Sequence, residues 1–348
     1  MTPVARMPMR QPVGSEPSSR CRWASAGTGW LRLLALGLWI WPWGALANSD
    51  RDRVAVLDAH ERLEVLEAYS LPMREVSGLA LAQDEGGVDI YAVGDASYDL
   101  GRLRAEGPPR SVSIQVRDVA DLASAEPNAA SQWEAIATDG PASVCALAET
   151  SARVTCLSAD LTQIVADFGL DVASIPSLER LWTDEPNSRG EGMVLLRGGH
   201  VLLLKEKKPS LLVEFGPKGE VAAGWNADAP LRAGETFAVP AAGALVALKV
   251  WAFADTLAAL AKDGSDLTSG PDGHLYMLSQ ESAVLVRLEG TLRPEEDKVH
   301  AAAAWRLPQD LDRAEGLVID NRMHPWVAVD VHATDGPNLY RLSAIEPP

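Results

Sequence analysis

Little in this 348-residue sequence belongs to the usual catalytic vocabulary. It has three cysteines, Cys21, Cys145 and Cys156, and no CxxC pair, which excludes a dithiol redox catalyst. The six histidines, His60, His200, His274, His300, His324 and His332, show neither HxxxH nor HxH spacing, so nothing points to zinc. No GxGxxG follows an apolar strand, no GxxxxGK[ST] occurs, and neither Ser77 nor Ser269 sits in a GxSxG elbow. Helical periodicity is scarce beyond residue 50, DTLAALAK from Asp255 to Lys262 being the best stretch. After Ala47 no apolar run approaches the roughly 20 residues needed to span a bilayer. Basic charge is also short: the formal net charge is −17, which disfavours nucleic acid or an anionic membrane as partner.

The N-terminus accounts for part of the basic charge that is present. Arg6, Arg10, Arg20, Arg22 and Arg32 precede or open the apolar run LLALGLWIWPWGALA, which ends in the small-x-small triplet Ala45-Leu46-Ala47. This is the pattern of an export signal, with cleavage expected after Ala47. Residues 1–47 are then a signal peptide, 48–61 a linker, and 62–348 one domain. No cysteine stands directly after the cleavage point, where Asn48 follows Ala47, and no Arg-Arg pair precedes the run, so neither a lipoprotein nor a twin-arginine substrate is expected. Removing five Arg and one Glu takes the charge from −17 to −21. The expected product is periplasmic or secreted, acidic and monomeric, without a membrane span.

Export leaves Cys145 and Cys156, in VCALAETSARVTCL. Two alternating runs flank a turn centred between Thr150 and Ser151, which pairs 145 with 156 directly across a hairpin. A disulfide is expected there as a staple.

What is abundant is short Val- and Leu-rich runs separated by Gly, Pro, Asp and Asn, the pattern of an all-β chain. Five segments repeat: SGLALAQDEGGVDIYAVGDAS from Ser77, EAIATDGPASVCALAET from Glu134, EGMVLLRGGHVLLLKEK from Glu191, SDLTSGPDGHLYMLSQES from Ser265, and EGLVIDNRMHPWVAVDV from Glu315. Each runs from a hydroxyl or acid, through a small or acidic residue, a strand, a turn and a second strand, to a closing acid. The closing acids are Asp95, Glu149, Glu206, Glu281 and Asp330. Starts recur every 50 to 74 residues, the size of a four-stranded propeller blade. A β-propeller is therefore expected, with five blades, or six if the long third interval hides a degenerate one. Antiparallel first and second strands put start and closing residues around one mouth of the channel. RLEVLEAY, residues 62–69, can supply the outer strand that closes the last blade.

The succession EVSGLAL, WEAIAT, GEGMVL, KEKKPSLLVEF, SDLTSGPDGHLYMLSQES and AEGLVI resembles the SdiA-regulated family of exported bacterial propellers, related to NHL-repeat and phytase-like propellers. The resemblance spans most of residues 65–345 and implies five blades, a calcium site and no established reaction. Ala135, where Gly is usual, and Thr268-Ser269-Gly270 depart from the family pattern.

Calcium takes six to eight oxygen ligands, so Glu134, Glu191 and Glu315 with Ser77 and Ser265 form a sensible shell, the closing acids making a second ring. Singly, such residues are more often solvated loop positions, and a closing acid can instead accept backbone N–H groups. Arg189, Lys205, Lys207 and Lys208 flank the third repeat and are candidates for holding an anion. Trp133 either lines the mouth or packs between blades. The expected function is a calcium-binding module for a small molecule or an envelope protein. A calcium-dependent hydrolase of phosphate esters or lactones, with Glu191 or Glu206 as base, is the alternative.

Overall fold

The computed structural model describes residues 62–83, 87–106, 111–125, 129–140, 142–185, 188–232, 234–332 and 336–346, all within one compact unit of residues 46–348. The expected signal peptide and linker lie outside the described residues.

The apolar runs form strands joined into four-stranded antiparallel units. The first holds β1's successors β2 (Val76–Gln83), β3 (Gly87–Gly94), β4 (Asp99–Glu106) and β5 (Ser111–Asp118), after β1 (Val65–Tyr69). The second holds β6 (Trp133–Thr138), β7 (Ser143–Ala148), β8 (Arg153–Ser158) and β9 (Ile164–Asp171). Helix α1 (Pro176–Asp184) leads to β10 (Gly192–Leu196), β11 (His200–Lys205), β12 (Leu211–Gly216) and β13 (Ala244–Phe253). Helix α2 (Asp255–Leu260), at the one stretch with helical periodicity, precedes β14 (Asp266–Ser269), β15 (Leu275–Ser279) and β16 (Val284–Leu288). A short β17 (Lys298–Val299) comes before β18 (Ala301–Arg306), which completes that fourth unit. The last unit is β19 (Ala314–Ile319), β20 (Pro325–Val329) and β21 (Leu339–Leu342), with β1 as its outer strand. N-terminal residues thus close the final unit, as residues 62–69 lead one to expect.

The innermost strands touch in a closed cycle, β2 to β6, β10, β14, β19 and back to β2. Each hydrophobic cluster lies between two neighbouring units rather than within one. Leu204, Trp251 and Met277 join the third unit to the fourth, and Val76, Leu103 and Trp326 join the last to the first. This is a β-propeller, in which apolar faces of twisted sheets bury one another around an axis. Trp133 is 2% exposed and packs edge-to-face on Tyr98 between the first and second units, so it does not line the mouth.

The long third interval holds a ten-residue β13 and an elaborated loop. Between Gly216 and Ala244 the described residues form only isolated bridges, at Trp225 and Pro230. The loop is anchored by its own tryptophan: Trp225 is fully buried and donates Nε1–H to Gly273. His200 holds the loop from below, its ring nitrogens 2.6 Å from Glu214 and 3.0 Å from Glu220. One end of β13 pairs in parallel with β9 and the other with β17, which covers an edge that would otherwise invite association. Helix α1 has no strong periodic run, but Pro176 starts it and Leu178 and Trp182 are buried against the core.

Cys145 and Cys156 are register partners on β7 and β8 and form a disulfide. The loop closed spans a sequence separation of 11, for which constraint of the unfolded chain contributes about 3 kcal/mol. Replacing both cysteines with serine is therefore expected to lower the urea midpoint and, because the unfolded chain is released, to raise the m-value somewhat. An unchanged midpoint would mean that the bridge contributes nothing to stability.

Candidate functional site at the channel mouth

Strand starts and closing residues from several units meet around a cavity of about 500 Å³. Ser77, Glu134, Glu191 and Glu315 line it from the starts, and Asp95, Glu149, Glu206 and Asp330 from the closing positions. The seam between units explains why these positions recur. The chain beginning one unit donates to the chain ending its predecessor: Gln132 N–H to Asp95 O at 3.0 Å, Arg189 N–H to Glu149 Oε1 at 2.6 Å, and Gly264 N–H to Glu206 O at 2.9 Å. Glu149 thus has the local structural use that the sequence left open for a closing acid, and it lines the cavity as well.

The fourth unit is different. Ser265 does not line the cavity; its hydroxyl accepts from Gln280 N–H at 2.9 Å and lies 3.4 Å from the buried Asp263. Glu281 is exposed and turned to Lys207, 3.5 Å away. In place of a carboxylate this unit offers Gln280, whose side-chain amide donates to Glu315 at 3.3 Å.

Of the four candidate cations only Lys207 lines the cavity, 2.6 Å from Glu206. Arg189 instead donates to the carbonyls of Trp182 and Thr150, tying α1 to the second unit. Lys205 is fully buried with its ammonium on the Lys207 carbonyl, and Lys208 pairs with Glu185 on the outside. Arg313 and His332 take their place, paired with Asp330 and Glu75 respectively. These residues carried a readable signal. Glu75, Gln132 and Arg313 each lie two residues before a repeat start, and each has the left-handed backbone that turns the chain into the innermost strand.

Eight carboxylates, Glu75 included, against so few cations have an electrostatic consequence. Burial and the neighbouring Asp95 and Glu149 push Glu134 up to about 8, only partly opposed by the Ser77 hydroxyl. Glu315 is pushed up to about 7, mainly by burial and against the pull of Arg313. Burial and four nearby carboxylates, Glu134 foremost, hold Glu191 well above the carboxylate range. Asp95 Oδ1 and Asp330 Oδ1 are buried without a hydrogen-bond partner. Among the described residues, no three of these side chains converge closely enough to hold a metal ion as they stand.

The innermost strands also carry a buried residue whose role the sequence reading missed. Asp266 occupies the small-or-acidic position after the fourth start and is fully buried. Its Oδ2 accepts from Leu317 N–H at 2.6 Å and Leu79 N–H at 3.5 Å, and its Oδ1 from Leu267 N–H at 2.7 Å. One carboxylate thereby ties three innermost strands together. The equivalent residue of the third unit must be small, because a Cβ on Gly192 would stand 2.2 Å from Leu267 N.

The SdiA-regulated family profile matches residues 130–330. No curated protein matches the chain. Similar solved structures include a streptogramin B lyase at 12% identity, with 82% of this chain and 88% of that one covered and a TM-score of 0.39. The PQQ-bound aldose sugar dehydrogenase of Streptomyces coelicolor is similar at 11% identity, over 81% and 97% of the chains, with a TM-score of 0.45. A catalytically inactive virginiamycin B lyase of Staphylococcus aureus is similar at 10% identity, over 82% and 100%, with a TM-score of 0.40. With its profile match covering more than half of its length, this β-propeller chain belongs to the SdiA-regulated family.

Proposed function

We propose that the channel mouth is a calcium site and that the protein acts as an exported, monomeric binding module for a small molecule or an envelope partner. The observation that carries this reading is the unbalanced carboxylate ring with two buried oxygens, on Asp95 and Asp330, that lack any partner. The donor set fits calcium, a hard cation served by carboxylate and hydroxyl oxygens. Glu134, Glu191, Glu315 and Ser77 would hold it, with Asp95 and Asp330 completing the set. The ion would supply the positive charge that now has to come from protons, and would draw together side chains that repel one another. Arg313, Lys207 and His332, released from their acids, would then face an incoming anionic group. The disulfide supports export to an oxidising compartment. No helix among the described residues is long and apolar enough to cross a membrane.

A second reading, a hydrolase of phosphate esters or lactones, draws support from Glu134 and Glu315, whose raised values near neutrality suit proton transfer. Screening the pure protein against phosphomonoesters, phosphodiesters and lactones, with and without calcium, separates the two. The binding-module reading expects no turnover; calcium-dependent turnover abolished by Glu191→Gln would establish the hydrolase instead.

A further inference from the structure

A cavity of about 970 Å³ lies at the opposite ends of the strands, between the first and second units and under the loop of the third. Its volume is in the range of ligand sites, roughly 300–1,000 Å³. A count of its polar groups shows an imbalance. Asp89 is buried and fully engaged, accepting Arg102 Nε–H at 2.8 Å on one oxygen and Arg104 Nη1–H on the other. Asp139 accepts the backbone N–H of Ser143 and of Phe237, at 2.7 and 3.0 Å. Asp160 Oδ1 accepts from Ser158 and Thr162 in its own turn. The two buried carboxylates of the cleft, Asp89 and Asp139, are thus engaged, while the exposed Asp160 keeps its second oxygen toward solvent.

Donors are left over. Arg102, held by Asp89 and lying 5.7 Å over the Tyr91 ring, has no protein acceptor for its Nη groups among the described residues. Arg232, exposed on the loop across the cleft, uses its side chain among the described residues on Asp228, at 3.2 Å. The Gln163 amide adds a neutral donor and acceptor on the rim. A guanidinium fixed by a buried carboxylate and presenting free N–H edges is suited to an oxyanion. In a chain whose net charge is −17, this cleft is lined by as many arginines, Arg102, Arg104 and Arg232, as carboxylates, Asp89, Asp139 and Asp160.

We infer that this cleft binds a small polyol carrying one oxyanion, a carboxylate or a phosphate, the anion on Arg102 and Arg232 and the hydroxyls along the Gln163 rim. The inference is independent of the calcium reading. It is tested by titrating the full chain calorimetrically with glucuronate, glucose 6-phosphate and glucose. The two anions are expected to bind and glucose not, and the tighter of the two identifies the head group. Arg102→Gln should weaken the anion about tenfold or more, and Arg232→Ala about threefold, with the affinity falling as salt is raised. Absence of heat with either anion overturns the inference, as does equal binding of glucose. An affinity that requires calcium would move the site to the mouth and also overturn it. Should Arg102→Gln fail to fold, the exposed Arg232→Ala decides: unchanged affinity there removes the site.

Discussion

Metal-free protein is expected to melt at a lower temperature near pH 8 than near pH 5.5, and calcium is expected to remove most of that difference. The sign follows from the direction of the shifts. Glu134 and Glu315 hold their protons in the folded chain up to about 8 and about 7, whereas an unfolded glutamate is ionised well below that. The native state therefore binds more protons than the unfolded state across this window, and stability falls as pH rises through the folded values. This is the reverse of a salt-bridged carboxylate, which loses stability on acidification. A pKa unit corresponds to about 1.4 kcal/mol, so these two groups together weigh a few kcal/mol. At about 2 °C per kcal/mol for a domain of this size, the melting temperature should drop by roughly 5–10 °C. An ion bound among the carboxylates stabilises by mass action and replaces those protons, so its effect should be largest at the alkaline end. Glu191→Gln should raise the metal-free melting temperature near pH 8 and reduce the response to calcium. A melting temperature insensitive to calcium and chelator at every pH, with no heat of binding, would leave no calcium site.

The propeller was legible because its repeat unit is long and each copy carries the same sequence of strand, turn, strand and acid. The antiparallel run of first and second strands determined which ends meet, and so most of the mouth: Ser77, Glu134, Glu191 and Glu315 needed no tertiary knowledge beyond that. Ser265 and Glu281 escaped the rule because the fourth unit spends its polar groups on the buried Asp263, two residues upstream of Ser265. The cations were harder. Lys205 ends β11 and Lys207 lies two residues beyond it, yet one is sealed inside and the other lines the cavity, a difference set by how the chain leaves the strand. Arg313 could have been found by reading two residues before each start, where Glu75, Gln132 and Arg313 turn the backbone and line the cavity, although Arg189 and Asp263 at the same offset do not. Asp266 was visible only as an exception to small residues; what it binds belongs to two other units, far away in sequence.

That distance makes Asp266→Ala the most informative stability variant. The substitution leaves the backbone N–H groups of Leu267 and Leu317, and the longer contact to Leu79, without an acceptor in a buried place. Each buried orphan donor costs about 1–3 kcal/mol, so a loss on the order of 4 kcal/mol is expected, against about 1 kcal/mol for an ordinary substitution. Burial raises the Asp266 carboxyl well above its usual range, while its three N–H partners favour the ionised form. Asp266→Asn separates these contributions: its carbonyl can keep one set of N–H groups, but its amide presents donors to the other. The asparagine variant should therefore fall between wild type and alanine, by urea denaturation with an unchanged m-value. If alanine and asparagine are both as stable as wild type, the three strands are held by apolar packing between units alone. If alanine unfolds the chain and asparagine does not, one satisfied acceptor at the axis is enough to keep the innermost strands in register.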